Sequence, residues 1–237
     1  MWWMPSSVEP GAAVPTIHVF ERGLPHFLIV NARGKRFANE AKPYNELGRV
    51  IYENTEPPAF MVFDQEYRNR YAMDTMLPGI TPERFIKAGY IKRADTLDAL
   101  AVQAGIDPVG LEQTVERFNA MAATGRDEDF QKGDSAFDRY AGDPANKPNP
   151  CLGPVAQAPF YAMQILAGDL GTKGGLLTNE HAQVLREDST VIPGLYAAGN
   201  SSACVVGNFY PGAGGTIGAA MTYGYIAAKH AAAQQTL

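Results

Sequence analysis

The feature that most constrains this chain is a glycine-rich segment near its C-terminus that leads directly into a helix pattern. Gly212, Gly214 and Gly215 stand just before an apolar stretch that predicts a helix from about Thr216 to Ala233. Glycines let the backbone close on a ligand, and a helix N-terminus presents N–H groups and a dipole that favour negative charge. The segment is therefore a candidate anion-binding loop, although such loops also occur as plain turns.

The loop differs from the G-x-G-x-x-G fingerprint that holds a pyrophosphate in Rossmann folds. After Gly212 and Gly214, the third glycine position is occupied by Ile217, and no strand pattern leads into the loop. Earlier in the chain, no glycine triplet of that spacing follows a predicted strand. These residues therefore predict no dinucleotide-binding βαβ unit.

Tyr210 adds a possible catalytic group to the same loop. It precedes Pro211, which favours an extended backbone at the preceding residue. A phenol O–H from Tyr210 and a backbone N–H from Gly214 would form an oxyanion-hole-type pair if they converged on one point. The alternative is a loop tyrosine that only packs its ring.

Residues 1–170 mix strand and helix patterns and predict an α+β domain, a small sheet with helices packed on it. Strands are predicted at 16–21, 26–31, 59–63 and 160–166, with 36–40 continuing the first two as a β-meander. Helices are predicted at 45–53 and 64–71. The proline-containing polar segment 125–159 is interpreted as a surface excursion or a domain connection.

The clearest local prediction is a pair of consecutive helices. Thr96 is a good N-cap for the first helix, and Gly105 is placed to end it. Asp107 caps the second helix, with Pro108 in its first turn. Further on, the sequence pattern predicts a strand and a tight turn at 176–186. It also predicts a strand at 191–199 whose end, LYAAG, is buried.

Charge and composition argue against several function classes. The net charge is -5 without a basic stripe, which disfavours nucleic acid as a partner. No apolar run reaches the ~18 residues of a membrane span, and the N-terminus lacks a signal-peptide pattern. Cys151, Cys204 and the four histidines are scattered, so we predict no metal site, reduced cysteines and a cytoplasmic location.

Three stretches of the chain carry a resemblance to a known family. GLYAAGN with NFYPGAGGTIGAAMTYGYIAA closely resembles the C-terminal FAD-contacting segment of the 3-ketosteroid-Δ1-dehydrogenases. GDLGTKGGLLTNEHAQVL and HFLIVNARGKRFANEAKPY are similar to the family's return into the flavin domain and its entry to the substrate domain. Fumarate reductase-like flavoproteins share the G-x-R-F-x-N-E element and GLYAAG, whereas YPGAGGTIG is specific to the steroid enzymes.

The resemblance implies catalytic roles for three residues. Tyr210 and the N–H of Gly214 match the pair that donates to the C3 carbonyl of a 3-ketosteroid. Tyr44 matches the base that takes the C2 proton while hydride leaves C1 for the flavin. A phenol is protonated near neutral pH, so this base needs a neighbouring group, and the family supplies a tyrosine from its N-terminal flavin domain.

The resemblance also implies a set of FAD-binding residues. Gly199, Asn200 and Ser201 match the segment beside the ribityl and pyrophosphate, although Asn200 and Ser201 could instead cap a strand end. The start of the last helix matches the helix start that faces the flavin pyrimidine edge in the family, where reduced flavin carries negative charge. The residues matched there are Gly215, Thr216, Ile217, Gly218 and Ala219.

The chain departs from the family because the N-terminal dinucleotide-binding βαβ unit is missing from it. The implied division is a substrate domain at 1–170 and the C-terminal portion of a Rossmann-like α/β FAD-binding domain at 171–237. We expect a steroid-like substrate, FAD as cofactor and a possible N-terminal FAD-binding segment or subunit as partner. Alone, the chain is expected to bind FAD poorly and to be inactive, with an apolar exposed seam.

Two alternatives stay open. One is a Δ4-ketosteroid or fumarate reductase-like flavoprotein, and the other is a non-catalytic remnant or subunit. A dicarboxylate enzyme would need arginines in its cleft, and the candidates cluster near the first sheet: Arg22, Arg33, Arg36 and Arg49.

Overall fold

The structure, a computed structural model, describes residues 2–54, 56–209 and 211–234. The chain divides into two compact units. The first unit is Trp3–Gly168, and the second consists of Trp2 with the residues from Asp169 onward.

The first unit is built on an antiparallel sheet. Its described strands are β1 (Trp3–Ser7), β2 (Thr16–Ile17), β3 (Phe27–Asn31), β4 (Ala59–Phe63), β5 (Lys92–Ala94) and β6 (Phe160–Asp169). The order is β2-β1-β6-β4-β3, and β5 also pairs with β6. Its described helices are α1 (Tyr44–Glu53), α2 (Gln65–Arg70), α3 (Glu83–Lys87), α4 (Leu97–Ala104), α5 (Pro108–Thr124) and α6 (Ala136–Tyr140).

Alternation along the central strands divides the core between the two faces of this sheet. In β3, Phe27 and Ile29 enter one apolar cluster with Leu47 of α1. Leu28 and Val30, which point the other way, enter a second cluster that contains the apolar side of α5. Because successive side chains of a strand face opposite sides, a fully buried strand such as β3 needs helices on both faces.

The predicted helix pair is confirmed in detail. The Thr96 side chain accepts from the Ala99 N–H, and Gly105 ends α4 in the left-handed conformation at φ 75°. The Asp107 side chain accepts from the Val109 N–H at the start of α5. The apolar residues that recur at helical spacing along α5 are all buried: Leu111, Val115, Phe118 and Ala122.

The predicted β-meander is wrong in two places. The strand expected at 16–21 is limited to Thr16–Ile17, and a short 3-10 helix, Glu21–Gly23, follows it. There, the Glu21 carboxylate binds the N–H groups of Val19 and Phe20 at 3.0 Å, which replaces a strand ladder. The segment 36–40 contributes only an isolated bridge between Val30 and Arg36, because its charged side chains turn inward.

The segment 125–159, which we interpreted as a surface excursion or a domain connection, is largely exposed, but it is anchored by buried polar residues. It contains the helix α6 and buries several polar side chains, namely Asp127, Lys132, Asp138 and Asn149. Asn149, for example, donates to the carbonyl of Gly125 at 3.0 Å and accepts from the N–H of Cys151 at 2.8 Å. Polar residues are buried here because each finds a specific hydrogen-bond partner.

The second unit holds a hairpin and a long helix. Strands β7 (Gln183–Leu185) and β8 (Val191–Tyr196) pair antiparallel, a 3-10 helix follows at Gly199–Ser201, and α7 covers Gly215–Gln234. The prediction of a buried LYAAG run is wrong for most of it, since Leu195 is 42% exposed and only Ala197 is buried. Among the described strands, β8 pairs with β7 alone, and its residues 193–195 are exposed.

The helix α7 is apolar, yet none of its described residues is buried. Ile217, Met221 and Tyr225 form a stripe at four-residue spacing, each about two-thirds exposed or more. Among the residues described, no helix is long and apolar enough to span a bilayer.

Candidate functional site

A cavity of about 440 Å³ lies at the start of α7, wholly within the second unit. This volume falls in the range of small-molecule sites. Its walls come from the glycine-rich turn near Lys173, the segment after β8 and the first turns of α7. Its lining includes Trp2, Thr172, Lys173, Asn179, Gly199, Asn200, Cys204, Gly215, Thr216, Ala219 and Tyr223.

One wall depends on a close approach between two backbone segments. The Leu176 N–H donates to the Ser201 carbonyl at 3.0 Å, and the Ala203 N–H donates to the Leu176 carbonyl at 2.9 Å. A Cβ on Gly175 would lie 2.6 Å from the Ser201 oxygen. Gly175 is therefore required for this contact, which holds Gly199–Ser201 beside the cavity.

The opposite wall is the N-terminus of α7. The Gly215 N–H donates to the Gly212 carbonyl at 3.2 Å, and the Gly218 N–H donates to the Gly214 carbonyl at 2.7 Å. The N–H groups of Gly214, Thr216 and Ile217 have no hydrogen-bond partner in the described part of the chain. These donors, at the positive end of a 20-residue helix, can bind a negatively charged group.

Lys173 is the cavity residue that the sequence analysis missed. Its Nζ donates to the Phe209 carbonyl at 2.7 Å and lies 4.2 Å from the centre of the Trp2 ring. Burial lowers the pKa of Lys173, and the nearby Cys204 opposes this shift. The only sequence signal was its place in GDLGTKGG, because its contacts are to residues far along the chain.

The structure brings together part of the expected set of cofactor-binding residues. Gly199, Asn200, Gly215, Thr216 and Ala219 line the cavity. The other three, Ser201, Ile217 and Gly218, do not belong to its lining.

The three expected catalytic residues are described to different degrees. Tyr44 is the half-buried first residue of α1 in the first unit, and Gly214 lies in the second unit with φ 83°. Tyr210 lies outside the described residues. Their shared catalytic role therefore stays a prediction.

The G-x-R-F-x-N-E element has a structural explanation. Arg36 binds Glu40 through Nε and Nη2, both at 2.9 Å, and binds Asp127 through Nη1 and Nη2 at 3.1 and 2.8 Å. Lys132 Nζ lies 3.6 Å from Glu40 and donates to the Phe27 carbonyl at 3.0 Å. Arg36 is thus fully engaged in a buried charge network.

This network alters the pKa values of its members. Burial alone would raise the pKa of Glu40, but Arg36 and Lys132 hold it below its usual value. The pKa of Asp127 is likewise lowered, because its bonds to Arg36 outweigh the effect of burial. Burial lowers the pKa of Lys132, against the attraction of Glu40.

Comparison with known proteins gives a consistent result. The model of a family described as FAD binding domain matches residues 1–217. The 3-oxosteroid 1-dehydrogenase of Mycobacterium tuberculosis is 49% identical over 98% of this chain and 43% of its own length. The 4-oxocyclohexanecarboxylate 2-dehydrogenase of Sinomonas cyclohexanicum is 42% identical over 98% of this chain and 42% of its own length.

A solved structure extends the comparison to the fold. The 3-ketosteroid delta1-dehydrogenase from Sterolibacterium denitrificans, in complex with 1,4-androstadiene-3,17-dione, matches with a TM-score of 0.94 and 48% identity. The match covers 98% of this chain and 43% of that protein. The chain therefore has the mixed α/β fold of part of a flavoprotein, and it spans less than half the length of these relatives.

Proposed function

This chain belongs to the FAD binding domain family, and on that basis we propose that it forms part of an enzyme that dehydrogenates a 3-oxosteroid between C1 and C2. The first unit would contribute the substrate domain and the second unit part of the flavin site. The observation that carries the proposal is the cavity at the start of α7, which brings Gly215 and Thr216 of the helix N-terminus together with Gly199 and Asn200. Relatives named for this activity are 48–49% identical over nearly the whole chain.

The donors around the cavity fit a flavin. The amide of Thr216, a residue of the cavity lining, and the dipole of α7 would stabilise negative charge on the ring edge, and Gly199 and Asn200 would border the ribityl chain. Gly199 has φ 63°, so its backbone takes a form that few other residues adopt. FAD, when bound, supplies the acceptor for the hydride that leaves C1.

The chain's own residues would perform the proton half of the reaction. The Tyr210 O–H and the Gly214 N–H would donate to the C3 oxygen, which draws electron density from the ring and makes the C2 hydrogen more acidic. Tyr44, once its phenol proton has passed to a neighbouring group such as the tyrosine that the family supplies from its flavin domain, would then accept the C2 proton. Loss of this proton from C2 and of hydride from C1 leaves the C1–C2 double bond.

The arginines near the first strands do not support a dicarboxylate enzyme. Arg22 and Arg36 are buried and bonded to protein groups. Arg33 binds Glu56 at 2.8 Å, and Arg49 lies 3.9 Å from Glu53. Arg33 and Arg49 lie in exposed surface pairs, and none of the four lines the cavity at the start of α7.

We also propose that the rest of the relatives' length supplies a segment that covers α7 and holds the remainder of FAD. Ile217, Met221 and Tyr225 are 65%, 71% and 66% exposed, an apolar stripe that a partner surface would bury. The described residues contain no strand–G-x-G-x-x-G–helix unit. The chain alone is therefore expected to bind FAD weakly.

The test compares the chain alone with the chain joined to, or co-expressed with, the N-terminal flavin segment of a relative. FAD binding is followed by flavin fluorescence, and reduction by anaerobic bleaching with androst-4-ene-3,17-dione, 4-oxocyclohexanecarboxylate or fumarate. We expect bleaching by the steroid in the assembled protein only. Stoichiometric flavin and turnover in the chain alone would contradict the need for a partner, and bleaching by another compound but no steroid would contradict the proposed substrate.

Two adjacent glycines provide a test of the cavity wall. Gly175→Ala is expected to weaken FAD binding about tenfold or more, since its Cβ would press on the backbone of Ser201 and overpacking costs ~1–3 kcal/mol. Gly174→Ala is the matched control, because a Cβ there meets nothing within 4 Å. Equal FAD dissociation constants for the two variants, measured in the assembled protein, would refute this view of the wall.

A further inference from the structure

Arg22 is a buried cation in the short 3-10 helix Glu21–Gly23, and only 2% of its surface is exposed. Its Nε donates to the His18 carbonyl at 2.8 Å, and its Nη2 donates to the Val19 carbonyl at 2.7 Å. Its Nη1 donates to the carbonyls of Glu40 and, at 3.2 Å, Lys42. One guanidinium thus joins two chain segments that are about twenty residues apart.

The charge of Arg22 is held by backbone carbonyls rather than by an ion pair. Among the described residues, no carboxylate oxygen lies within 4.0 Å of its nitrogens. Burial lowers the pKa of Arg22 to about 10, although Glu21 and Glu40 oppose the shift. Arg22 therefore remains protonated near neutral pH. Its four charge-assisted hydrogen bonds, made to two separate segments, fix the position of one segment relative to the other.

The segment that Arg22 fixes leads directly to Tyr44. The Ala41 N–H donates to the Asn39 side chain at 2.9 Å, which tightens the turn before Lys42. Beyond this point, the Pro43 carbonyl accepts the N–H groups of Glu46 and Leu47, both at 3.0 Å, at the start of α1. The backbone of Tyr44 thus lies between the Arg22 contacts and the first turn of α1.

The other segment bound by Arg22 is itself rigid. The Glu21 carboxylate accepts from the His18 ring at 2.7 Å as well as from two backbone N–H groups. The His18 ring also hydrogen-bonds the buried Ser7 hydroxyl at 2.7 Å. This segment gives Arg22 a fixed base from which it can hold residues 40–42.

We propose that Arg22 is a positioning residue for Tyr44, and that it acts by fixing the backbone of residues 40–42. The proposal rests on the function proposed above, in which Tyr44 accepts the C2 proton. A guanidinium is needed because its planar fork reaches four carbonyls, whereas a lysine ammonium has three donors and no fork. A displacement of about 1 Å in a catalytic group can lower a rate by ~10²-fold.

The first measurement is hydrogen–deuterium exchange at the amides of residues 40, 41, 42 and 44. Arg22→Met should speed their exchange at least about tenfold, which corresponds to losing about 1.4 kcal/mol of local protection, and Arg22→Lys should restore part of it. Arg68→Met is the matched control, since Arg68 is equally buried but donates to the carbonyls of Tyr71, Leu77 and Ile80. Arg68→Met should speed amide exchange in residues 71–81 and leave the exchange of residues 40–44 unchanged.

The second measurement separates kcat from KM in the assembled flavoprotein, together with washout of deuterium from C2 of the steroid. Arg22→Met should lower kcat and the washout rate about 10²-fold with a steroid dissociation constant close to that of the unmodified protein. The kcat and washout rate of Arg22→Lys should lie between those of the unmodified protein and those of Arg22→Met. The proposal would be overturned if Arg22→Met exchanged its amides at 40–44 as slowly as the unmodified protein. It would also be overturned if these amides exchanged faster while kcat stayed the same. If the unmodified protein turned over no 3-oxosteroid, the proposed function would fail, and the catalytic role of Arg22 would fail with it. The exchange data would still show whether Arg22 fixes the backbone of residues 40–42.

Discussion

Replacing Tyr44 by phenylalanine is expected to lower the rate of 3-oxosteroid dehydrogenation by about 10²–10⁴-fold. The change removes one oxygen and keeps the ring, so the start of α1 should fold as before. If Tyr44 accepts the C2 proton, its loss slows proton removal while FAD and steroid still bind. The measurement is kcat from anaerobic flavin bleaching, with dissociation constants for FAD and steroid determined separately.

The matched control for this prediction lies on the same helix. Tyr52 is 67% exposed and stacks on Trp3 with ring centroids 4.6 Å apart. Since phenylalanine retains that stacking ring, Tyr52→Phe should leave kcat unchanged. If the Tyr44→Phe variant lost deuterium from C2 as fast as the unmodified protein, another group would have to take the proton.

Replacing Arg36 by methionine is expected to destabilise the protein by about 3–5 kcal/mol, the usual cost of breaking a buried ion pair from one side. Arg36 and its partners Glu40 and Asp127 are almost completely buried, and the variant would leave both carboxylates without the guanidinium, with Lys132, 3.6 Å from Glu40, as the remaining cation of the network. The methionine would also lose the stacking of the guanidinium on Phe118. Urea unfolding at neutral pH measures the free energy of unfolding.

An exposed ion pair provides the control for Arg36. Arg117 binds Asp129 in a similar two-pronged geometry, with the shortest contact at 2.6 Å, but its side chain is 56% exposed. Water and salt screen such a pair, so Arg117→Met should change the free energy of unfolding little. If the two variants lost equal stability, burial would not be the factor that makes the Arg36 network important.

The pH dependence of the Arg36 network follows from its lowered carboxyl pKa values. Glu40 and Asp127 have folded-state pKa values below their usual 4.5 and 3.8. Their contribution to stability is therefore fully present above those usual values and is lost as pH falls through the lower, folded ones. In Arg36→Met, burial without the guanidinium would raise the pKa values of both carboxyl groups. Protonation in acid would then remove the cost of burying two negative charges, which would stabilise the variant. We expect the difference in unfolding free energy between the two proteins to narrow below about pH 4.5.

Local chemistry made much of the fold predictable. The ends of α4 and α5 follow from Thr96, Gly105 and Asp107, whose capping effects depend on neighbours within a few residues. The buried side of α5 follows from its periodicity. In contrast, the segment 36–40 was expected to continue the meander because it follows a turn after β3, whereas distant partners such as Asp127 and Lys132 turn its charged side chains into the core.

The candidate site shows the same division. The glycines before α7 identify the loop, since their backbone freedom is a property of the residue itself, and the motifs around them identify the flavoprotein family. Lys173 could not be found in this way, because it binds the Phe209 carbonyl and the Trp2 ring, which lie 36 residues ahead and near the opposite end of the chain.

The sequence by itself therefore determined the family, the capped helices and the glycine-rich start of α7, because each rests on residues that act locally or as a contiguous motif. Only the tertiary structure decided which charged side chains are buried and what they hold. Arg22, Arg36 and Lys173 are each defined by carbonyls, carboxylates or rings from remote segments. The free energy of burying a charge depends on partners that the folded chain alone brings within hydrogen-bonding distance.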